Sequence, residues 1–440
     1  MELIFIAIKL LSVAIFFLIL YDLKWGMISY LLYFFLVPIP TLGLLPVSVL
    51  SVALFGMSVC KYGVSKLQQS LPFVFPYGFL LLALGIVMPI SPTPFSFQFW
   101  MWKTDLINGL LSMWAMWLIL VNSDITQKIK ISLVVVAFVV GIYALALTQT
   151  GGVNPYVFGL KILTGGDILE GWYADENRLF GRISSTFLHP MTWAFVAGAF
   201  VFFIFFVRRQ LKKPIFVILM LILILDVFFC GVRSVIGALF VSVFIYLLLK
   251  RQFKIFLYSA VIGVLLLLVL SFNDFLFGYV MSIFDFSDNN EIANGSSFSM
   301  RLNQLSAALK EMEKSPLCGN GYFWHSYYLT KYGDHPELLA FESLIFTILC
   351  DSGIWGVLSW ILYLILLLAL PFYYLKQKED IVLIVCFVFY YFSYVCVTGD
   401  YAGYFFLWFY IIMMGMSYKK AICIKKKILL KKLLLLKLER

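Results

Sequence analysis

An arginine and an aspartate interrupt apolar sequence in the middle of the chain. Arg233 follows Gly231 in CGVRSVIGAL, and Asp226 lies seven residues earlier, two helical turns away on the same face of an unbroken helix. A charge at a membrane boundary needs a partner. Two interpretations stay open: Arg233 pairs with Asp226 as a structural contact, or it faces a cavity and binds an anionic ligand. Because intramembrane charges are commonly functional, we favour the anion site.

Three further arginines lie near long polar segments. Arg178 and Arg182 belong to ENRLFGRISSTFLHP, and Arg301 opens a predicted amphipathic helix. The planar guanidinium group matches the geometry of phosphate oxygens, so these side chains could converge on a phosphorylated ligand. Each of them alone is more often an ordinary surface charge.

Glu342 is the carboxylate that we single out as a candidate general base. It lies in the apolar sequence LLAFESLIF, and we predict a helix from about His335 through Glu342 towards Leu349. A desolvated carboxylate there could take a proton, or it could pair with one of the arginines. His335 would share its helical face, although it could simply begin the helix, and His189 could simply end a loop.

The elements that must position these side chains are membrane-spanning helices. The chain has 440 residues, of which 63% are hydrophobic and only 13% are charged, and this excludes a disordered chain, a fibrous repeat and an ordinary soluble enzyme. Long apolar runs without two-residue alternation predict helices and not barrel strands. We therefore predict an all-α, polytopic integral membrane protein of about 12–13 transmembrane helices with a large external loop. The predicted spans are 3–20, 26–41, 43–60, 72–90, 105–121, 130–149, 188–207, 213–231, 233–250, 253–272, 353–375, 380–397 and 401–417.

Basic residues set the predicted orientation. The formal net charge is +10, and the lysines and arginines cluster in alternate loops, which we place in the cytoplasm together with the C-terminus. The lysine- and leucine-rich tail 424–440 is either an interfacial helix or a simple solubilising tail. Proline residues leave 26–60 as either two spans or one span with a re-entrant piece. The clusters are Lys61/Lys66, Lys128/Lys130, Arg208/Arg209/Lys212/Lys213, Lys250/Arg251/Lys254, Lys376/Lys378 and Lys419/Lys420/Lys425/Lys426/Lys427.

Two long external segments follow from this orientation, and we place the chemistry on their face of the membrane. Loops of this length are commonly functional. Within the second one, a helix is predicted over Met300–Met312 with Ser299 as its cap, and Gly319 and Gly321 allow a tight turn afterwards. The predicted regions are N-terminal helices 1–149, first external loop 150–187, central helices 188–272, large external loop with short catalytic helices 273–352, C-terminal helices 353–417 and basic cytoplasmic tail 418–440.

Several function classes lack the motifs that they need. The sequence contains no GxxxxGK[ST], GxGxxG, HExxH or CxxC, and its three histidines lack metal-ligand spacing. We therefore expect no cofactor and no metal. No basic patch with interleaved aromatic residues indicates nucleic-acid binding.

Three stretches resemble the bacterial O-antigen polymerase and O-antigen ligase superfamily. RISSTFLHP (182–190) resembles its Arg-x-x-Gly-Thr-Phe-x-x-Pro segment, and GVRSVIGAL (231–239) resembles its Ser-Arg-x-x motif. The third stretch runs from Arg301 through SPLCGNGYF (315–323) to FESLIFTILCDSGIWGVL (341–358), and it resembles the large external loop and the helix that ends in Gly-x-x-Gly. Ligases of this superfamily typically carry a His-Asn pair where this chain has Glu342-Ser343, which favours a polymerase. Ser185 and Val232 also depart from the common pattern.

The resemblance implies glycosyl transfer at the external face of the inner membrane. The donor would be a chain on undecaprenyl pyrophosphate, and the acceptor would be a sugar hydroxyl of a lipid-linked repeat unit. Arg233 and Arg301 would stabilise the leaving pyrophosphate without a metal, and Glu342 would orient or deprotonate the acceptor. The expected substrate-binding residues are Arg182, Arg178, His335 and His189. The aromatic residues that could stack on sugars, or only anchor the chain at the interface, are Trp172, Tyr173, Tyr322, Phe323 and Trp324.

Two other functions remain as alternatives. The first is an O-antigen ligase that transfers polysaccharide to the lipid A core, and the second is a polysaccharide flippase or transporter without chemistry. The expected partners are lipid-linked oligosaccharides and membrane lipids, with a chain-length regulator and a repeat-unit flippase as expected protein partners and no nucleic acid. The product would be O-antigen, capsule or exopolysaccharide.

Overall fold

The chain is an all-α polytopic membrane protein. A computed structural model describes residues 2–151, 153–164, 182–252, 254, 298–401 and 403–438, and these residues contain no β-strand. Eight helical stretches among them are long and apolar enough to cross a membrane. The α-helices are α1 (Glu2–Tyr21), α2 (Leu23–Leu36), α3 (Val47–Tyr62), α4 (Val64–Ile86), α5 (Phe95–Thr104), α6 (Ser112–Asn122), α7 (Thr126–Leu147), α8 (Pro155–Thr164), α9 (Pro190–Val207), α10 (Lys213–Phe229), α11 (Arg233–Lys250), α12 (Phe298–Glu313), α13 (Trp324–Tyr332), α14 (Leu344–Tyr374), α15 (Lys378–Thr398) and α16 (Gly403–Leu438).

The predicted spans agree closely with these helices. The region 26–60 forms two short helices, α2 and α3, joined by a segment that folds back against α1, where the amide of Leu45 donates to Ser12 Oγ at 3.0 Å. The predicted span 253–272 lies outside the described residues. The basic tail continues α16 as far as Leu438, so its helical character is confirmed.

Charged contacts bring the basic loops together at one end of the bundle. Glu379 at the start of α15 accepts ion pairs from Arg208, Arg209 and Lys250 at 3.0–3.8 Å. Lys419 of α16 reaches Asp124, which lies between α6 and α7, at 3.4 Å. Loops that are far apart in the sequence therefore share one end, as the charge pattern predicts, and the described parts of the other polar segments lie at the opposite end.

The loop helices at that opposite end differ in part from prediction. A helix over 300–312 is confirmed, but α12 already includes Ser299, which is therefore not its cap. The predicted helix from His335 through Glu342 is wrong. Residues 333–343 form a turn in which the amides of His335 and Leu339 each donate to the other residue's carbonyl, and α14 begins only at Leu344.

A break in α14 explains the glycines of the third sequence stretch. At Gly353 the backbone leaves helical geometry (φ 58°, ψ −149°), and the loop 316–321 inserts into the gap. Amides of the loop donate to the carbonyls of Cys350 and Asp351 at 2.8 Å, while the amide of Ile354 donates to the carbonyl of Pro316 at 2.9 Å. The backbone groups that the break would otherwise leave unpaired are thereby satisfied.

Two glycines permit this insertion. A Cβ atom at Gly319 would lie 2.4 Å from backbone atoms of Asp351 and Ser352, and one at Gly353 would lie 2.5 Å from the carbonyl oxygen of Pro316. Both glycines have positive φ, which side chains disfavour. The loop and the broken helix therefore form one unit, and this unit positions the site described next.

Candidate active site

An ion pair joins the two predicted residues of the large loop. One terminal nitrogen of Arg301 lies 3.1 Å from a carboxylate oxygen of Glu342. The other donates to the backbone carbonyl of Glu342 and to Oε1 of Gln304, each at 3.1 Å. The side chains are 23% and 34% exposed, so the pair is accessible from outside and only partly desolvated. Arg301 is thus held on several sides, with its guanidinium close to solvent.

A stacked pair of rings lies beside this ion pair. The His189 and Tyr401 rings lie parallel, with centroids 4.8 Å apart and planes 10° apart. Burial raises the pKa of the Tyr401 hydroxyl, the charge of Glu342 raises it further, and the charge of Arg301 lowers it, which is a sign of their proximity. The predicted residues His189, Arg301 and Glu342 therefore meet around Tyr401, which the sequence analysis did not select.

His189 is neutral in this environment. Burial lowers the pKa of its imidazole to about 4, and the positive charges of Arg182 and Lys161 lower it further. Its Nδ1 accepts the backbone N–H of Met191 at 3.1 Å, so the proton of the neutral ring resides on Nε2. The hydrogen-bond donor of the ring is therefore Nε2–H, and Arg182 contributes positive charge next to it.

Arg233 occupies the first turn of α11 at the same end of the bundle. The neighbouring Ser234 Oγ accepts a hydrogen bond from Thr398 Oγ1 at 2.5 Å, and Thr398 ends α15 directly before the turn that carries Tyr401. A cation at a helix N-terminus adds to the positive end of the helix dipole instead of balancing it. This arrangement suits an anion. Arg178 lies outside the described residues.

The alternative in which Asp226 pairs with Arg233 has no support in the described part of the chain. Asp226 is fully buried, and neither carboxyl oxygen has a hydrogen-bond partner there. A carboxyl oxygen of Asp226 instead faces Gly141 of α7. It lies 3.0 Å from the position that a Cβ atom would occupy on this glycine.

His335 serves the turn that precedes Glu342. It is buried, its Nδ1 accepts the amides of Glu337 and Leu338 at 3.2 and 3.0 Å, and its ring packs on Tyr328 and Phe341. These contacts stabilise the turn. The substrate-binding role of His335 stays a prediction.

A cavity of about 510 Å³ opens next to Tyr401 and extends between α4, α14 and α16. Its wall contains a histidine and aspartate pair, in which Nδ1 of His325 lies 2.7 Å from Oδ2 of Asp351 and the amide of His325 donates to Oδ1 at 2.9 Å. The carboxylate of Asp105 also faces the cavity, where it accepts hydrogen bonds from the hydroxyls of Tyr322 and Tyr404 at 2.6 and 2.8 Å.

These cavity residues were missed in the sequence analysis. Asp351 directly precedes the Ser-Gly pair at the helix break, and a carboxylate at such a break was a usable signal. Asp105 begins a π-helical turn, Asp105–Leu111, between α5 and α6, and nothing in a single sequence marks such a turn. Of the aromatic residues predicted to stack on sugars, Tyr322 and Phe323 line the cavity, while Trp172 and Tyr173 lie outside the described residues. No group of three His, Cys, Asp or Glu side chains suited to a metal ion occurs in the described ranges.

Comparison with known families agrees with this architecture. Residues 218–361 match the family model described as O-antigen ligase. The matched region includes Arg233, Arg301, Glu342 and the broken part of α14. This stretch, about a third of the chain, is thus similar to the O-antigen ligase family and consistent with the O-antigen polymerase and ligase superfamily. No curated protein matches the chain.

Proposed function

We propose that this protein polymerises oligosaccharide repeat units linked to undecaprenyl pyrophosphate, at the external face of the bacterial inner membrane. The observation that carries the proposal is the meeting of Arg301, Glu342, His189 and Tyr401, with the charge of Arg182 close by, at the end of the bundle opposite the basic loops. We orient the bundle so that its basic end and the C-terminus are cytoplasmic, as the distribution of lysine and arginine predicts.

The donor pyrophosphate binds among the arginines. In the reaction, the acceptor hydroxyl oxygen forms a bond to the anomeric carbon of the donor chain, and the bond between that carbon and the pyrophosphate oxygen breaks. Negative charge grows on the pyrophosphate as it leaves. Arg301, Arg233 and Arg182 stabilise that charge, and His189 Nε2–H donates a hydrogen bond.

The ion pair links donor binding to proton removal. In the free protein Arg301 holds the carboxylate of Glu342 at 3.1 Å. When a phosphate oxygen replaces that carboxylate as the partner of Arg301, the carboxylate becomes available to accept the proton of the acceptor hydroxyl. The base is then active only when the donor is present.

A polymerase is favoured over a ligase because of the residue at position 342. Ligases of the superfamily typically carry a histidine at this position. The present chain has a carboxylate there, and it forms an ion pair with an arginine. The family match does not distinguish a polymerase from a ligase, so the preference rests on Glu342 and its pairing with Arg301.

The test is a strain that lacks this protein, with its surface polysaccharide examined on a gel. Glycolipid capped with a single repeat unit, without the longer ladder, is the expected result. Loss of all capping with long chains left on the lipid carrier would identify a ligase. Unchanged polymer would overturn glycosyl transfer and favour a transporter.

Complementation with variants then tests the site. Arg301→Ala should fail to restore the ladder, whereas Arg209→Ala should restore it. Arg209 is a matched control because it is an arginine paired with a glutamate, Glu379, at the opposite end of the bundle.

A further inference from the structure

The cavity beside Tyr401 has a chemical character opposite to that of the arginine cluster. Among the described residues that line it there is no lysine or arginine, whereas Asp105, Asp351 and Asp400 all contribute carboxylates. The turn at Gly399–Tyr401 and the Phe341 segment separate the two regions, and both belong to the cavity wall. Within the described part of the chain, charge is therefore segregated across a single turn.

This segregation decides which part of a substrate each region can hold. A pyrophosphate would be repelled by three carboxylates, so it belongs with the arginines. Sugar hydroxyls are neutral and donate hydrogen bonds, which carboxylate oxygens accept strongly. The flat faces of sugar rings pack against aromatic side chains, which this wall supplies as Tyr322, Phe323 and Tyr404.

The polar groups of the wall are held in place before any ligand arrives. Asp351 fixes both the backbone amide and the ring of His325, and the carboxylate of Asp105 is held by two tyrosine hydroxyls. Asp400 accepts a hydrogen bond from Tyr391 at 2.9 Å. The carboxylates of Asp105 and Asp351 keep additional lone pairs for a ligand, because each accepts two of these hydrogen bonds and a carboxylate can accept about four.

We propose that this cavity binds the acceptor sugar, with His325 and Asp105 as hydrogen-bonding residues and Tyr404 and Phe323 as stacking surfaces. The cavity volume of about 510 Å³ lies within the usual range for small-molecule sites. The acceptor hydroxyl then lies at the cavity mouth, beside Tyr401, where Glu342 can reach it. This inference rests on the proposed polymerase function and adds the place and chemistry of its second substrate.

The test is direct binding of a sugar that lacks the lipid and the pyrophosphate. The probe is the repeat-unit oligosaccharide released by mild acid from the host's own lipid carrier, and the protein is the full chain in nanodiscs. Saturation-transfer NMR or calorimetry should detect binding to the wild type. His325→Gln and Asp105→Asn should weaken it at least tenfold, and in the polymerisation assay they should raise KM for the acceptor more than they lower kcat.

Two controls separate the possible failures. Asp124→Asn makes the same chemical change as Asp105→Asn at a fully exposed position at the basic end, and it should bind normally. Arg301→Ala should bind the free oligosaccharide within about twofold of wild type although its turnover is lost.

Three outcomes would overturn the inference. The first is a wild type that polymerises repeat units but does not bind the free oligosaccharide. The second is a pair of folded cavity variants, with melting temperatures near that of wild type, that bind as wild type does. The third is loss of sugar binding in Arg301→Ala, which would place the sugar with the arginines. A wild type that binds the oligosaccharide but never polymerises lipid-linked units would instead overturn the proposed function, and the acceptor role with it.

Discussion

Replacing Arg301 separates a catalytic role from a structural one, because the two roles predict effects of different size. The side chain makes hydrogen bonds to the carboxylate and the carbonyl of Glu342 and to Gln304, all at 3.1 Å. Since Glu342 is about one-third exposed, water can replace the lost guanidinium. The stability cost of Arg301→Ala is then about 1 kcal/mol, which is small beside the stability of a folded domain.

The expected kinetic cost is much larger. A preorganised donor that stabilises developing negative charge contributes about 10²–10³ in kcat, or roughly 3–4 kcal/mol. Arg301→Lys keeps the charge but cannot bond to the carboxylate and the carbonyl of Glu342 at once, so its loss should be intermediate. Purified protein in nanodiscs, with lipid-linked repeat units as substrate, gives kcat, and thermal unfolding gives the stability.

Glu342→Gln completes the experiment. The amide keeps a hydrogen-bond acceptor for Arg301 but removes the negative charge that competes with the donor phosphate. We expect KM for the donor to fall together with kcat, because Arg301 becomes easier to capture while the base is lost. A folded Arg301→Ala protein with kcat within about threefold of wild type would refute the reasoning, as would a Glu342→Gln protein with unchanged kcat.

Three further results are expected. Gly353→Ala should lower the melting temperature and the yield sharply, because there is no room for the added Cβ atom. Gly237→Ala, in open space on α11, should leave both unchanged. Equal effects of the two substitutions would contradict the account of the helix break. The pKa of His189 in the folded protein, about 4, lies below its usual value of 6.5, so the stability of the wild type should fall as the pH drops from about 6.5 to 4. In melting curves recorded over this pH range, His189→Gln should remove the part of the decrease that is due to this histidine. In a cysteine-free background, an impermeant maleimide should label Glu337→Cys from outside the inner membrane and not Asp124→Cys; the reverse pattern would invert the orientation.

The helices could be predicted from the sequence because each satisfies a simple physical requirement. A segment that crosses a bilayer must be apolar over about 20 residues and must pair its backbone internally, and both requirements leave a visible pattern. The contacts of Glu379 with Arg208 and Lys250 also follow the charge pattern, since basic loops on one side of a membrane share one end of the bundle.

The site was predictable only in part. Glu342 was selected because a carboxylate in apolar sequence is rare, and Arg301 because it opens a predicted amphipathic helix, but a helix around Glu342 was expected from its apolar neighbours. The structure forms a turn instead, because His335 binds the backbone amides of the following residues. Asp105 and Asp400 were missed because they come together through packing between residues that are nearly 300 positions apart, which a single sequence does not record.

Backbone strain at the junction of the two regions supports the idea that Arg301 changes partners. Leu339 and Phe341 both have positive φ, 51° and 54°, a conformation that costs a non-glycine residue on the order of 1 kcal/mol or more. Such strain persists only where surrounding contacts fix the backbone, and one of these contacts is the hydrogen bond from Arg301 to the carbonyl of Glu342. Because this bond does not involve the carboxylate, a donor phosphate that displaced the Glu342 side chain, as we propose, would leave Arg301 anchored to the carbonyl and to Gln304. In the proposed reaction the backbone contact therefore keeps the arginine directed at the donor while the carboxylate is released to the acceptor.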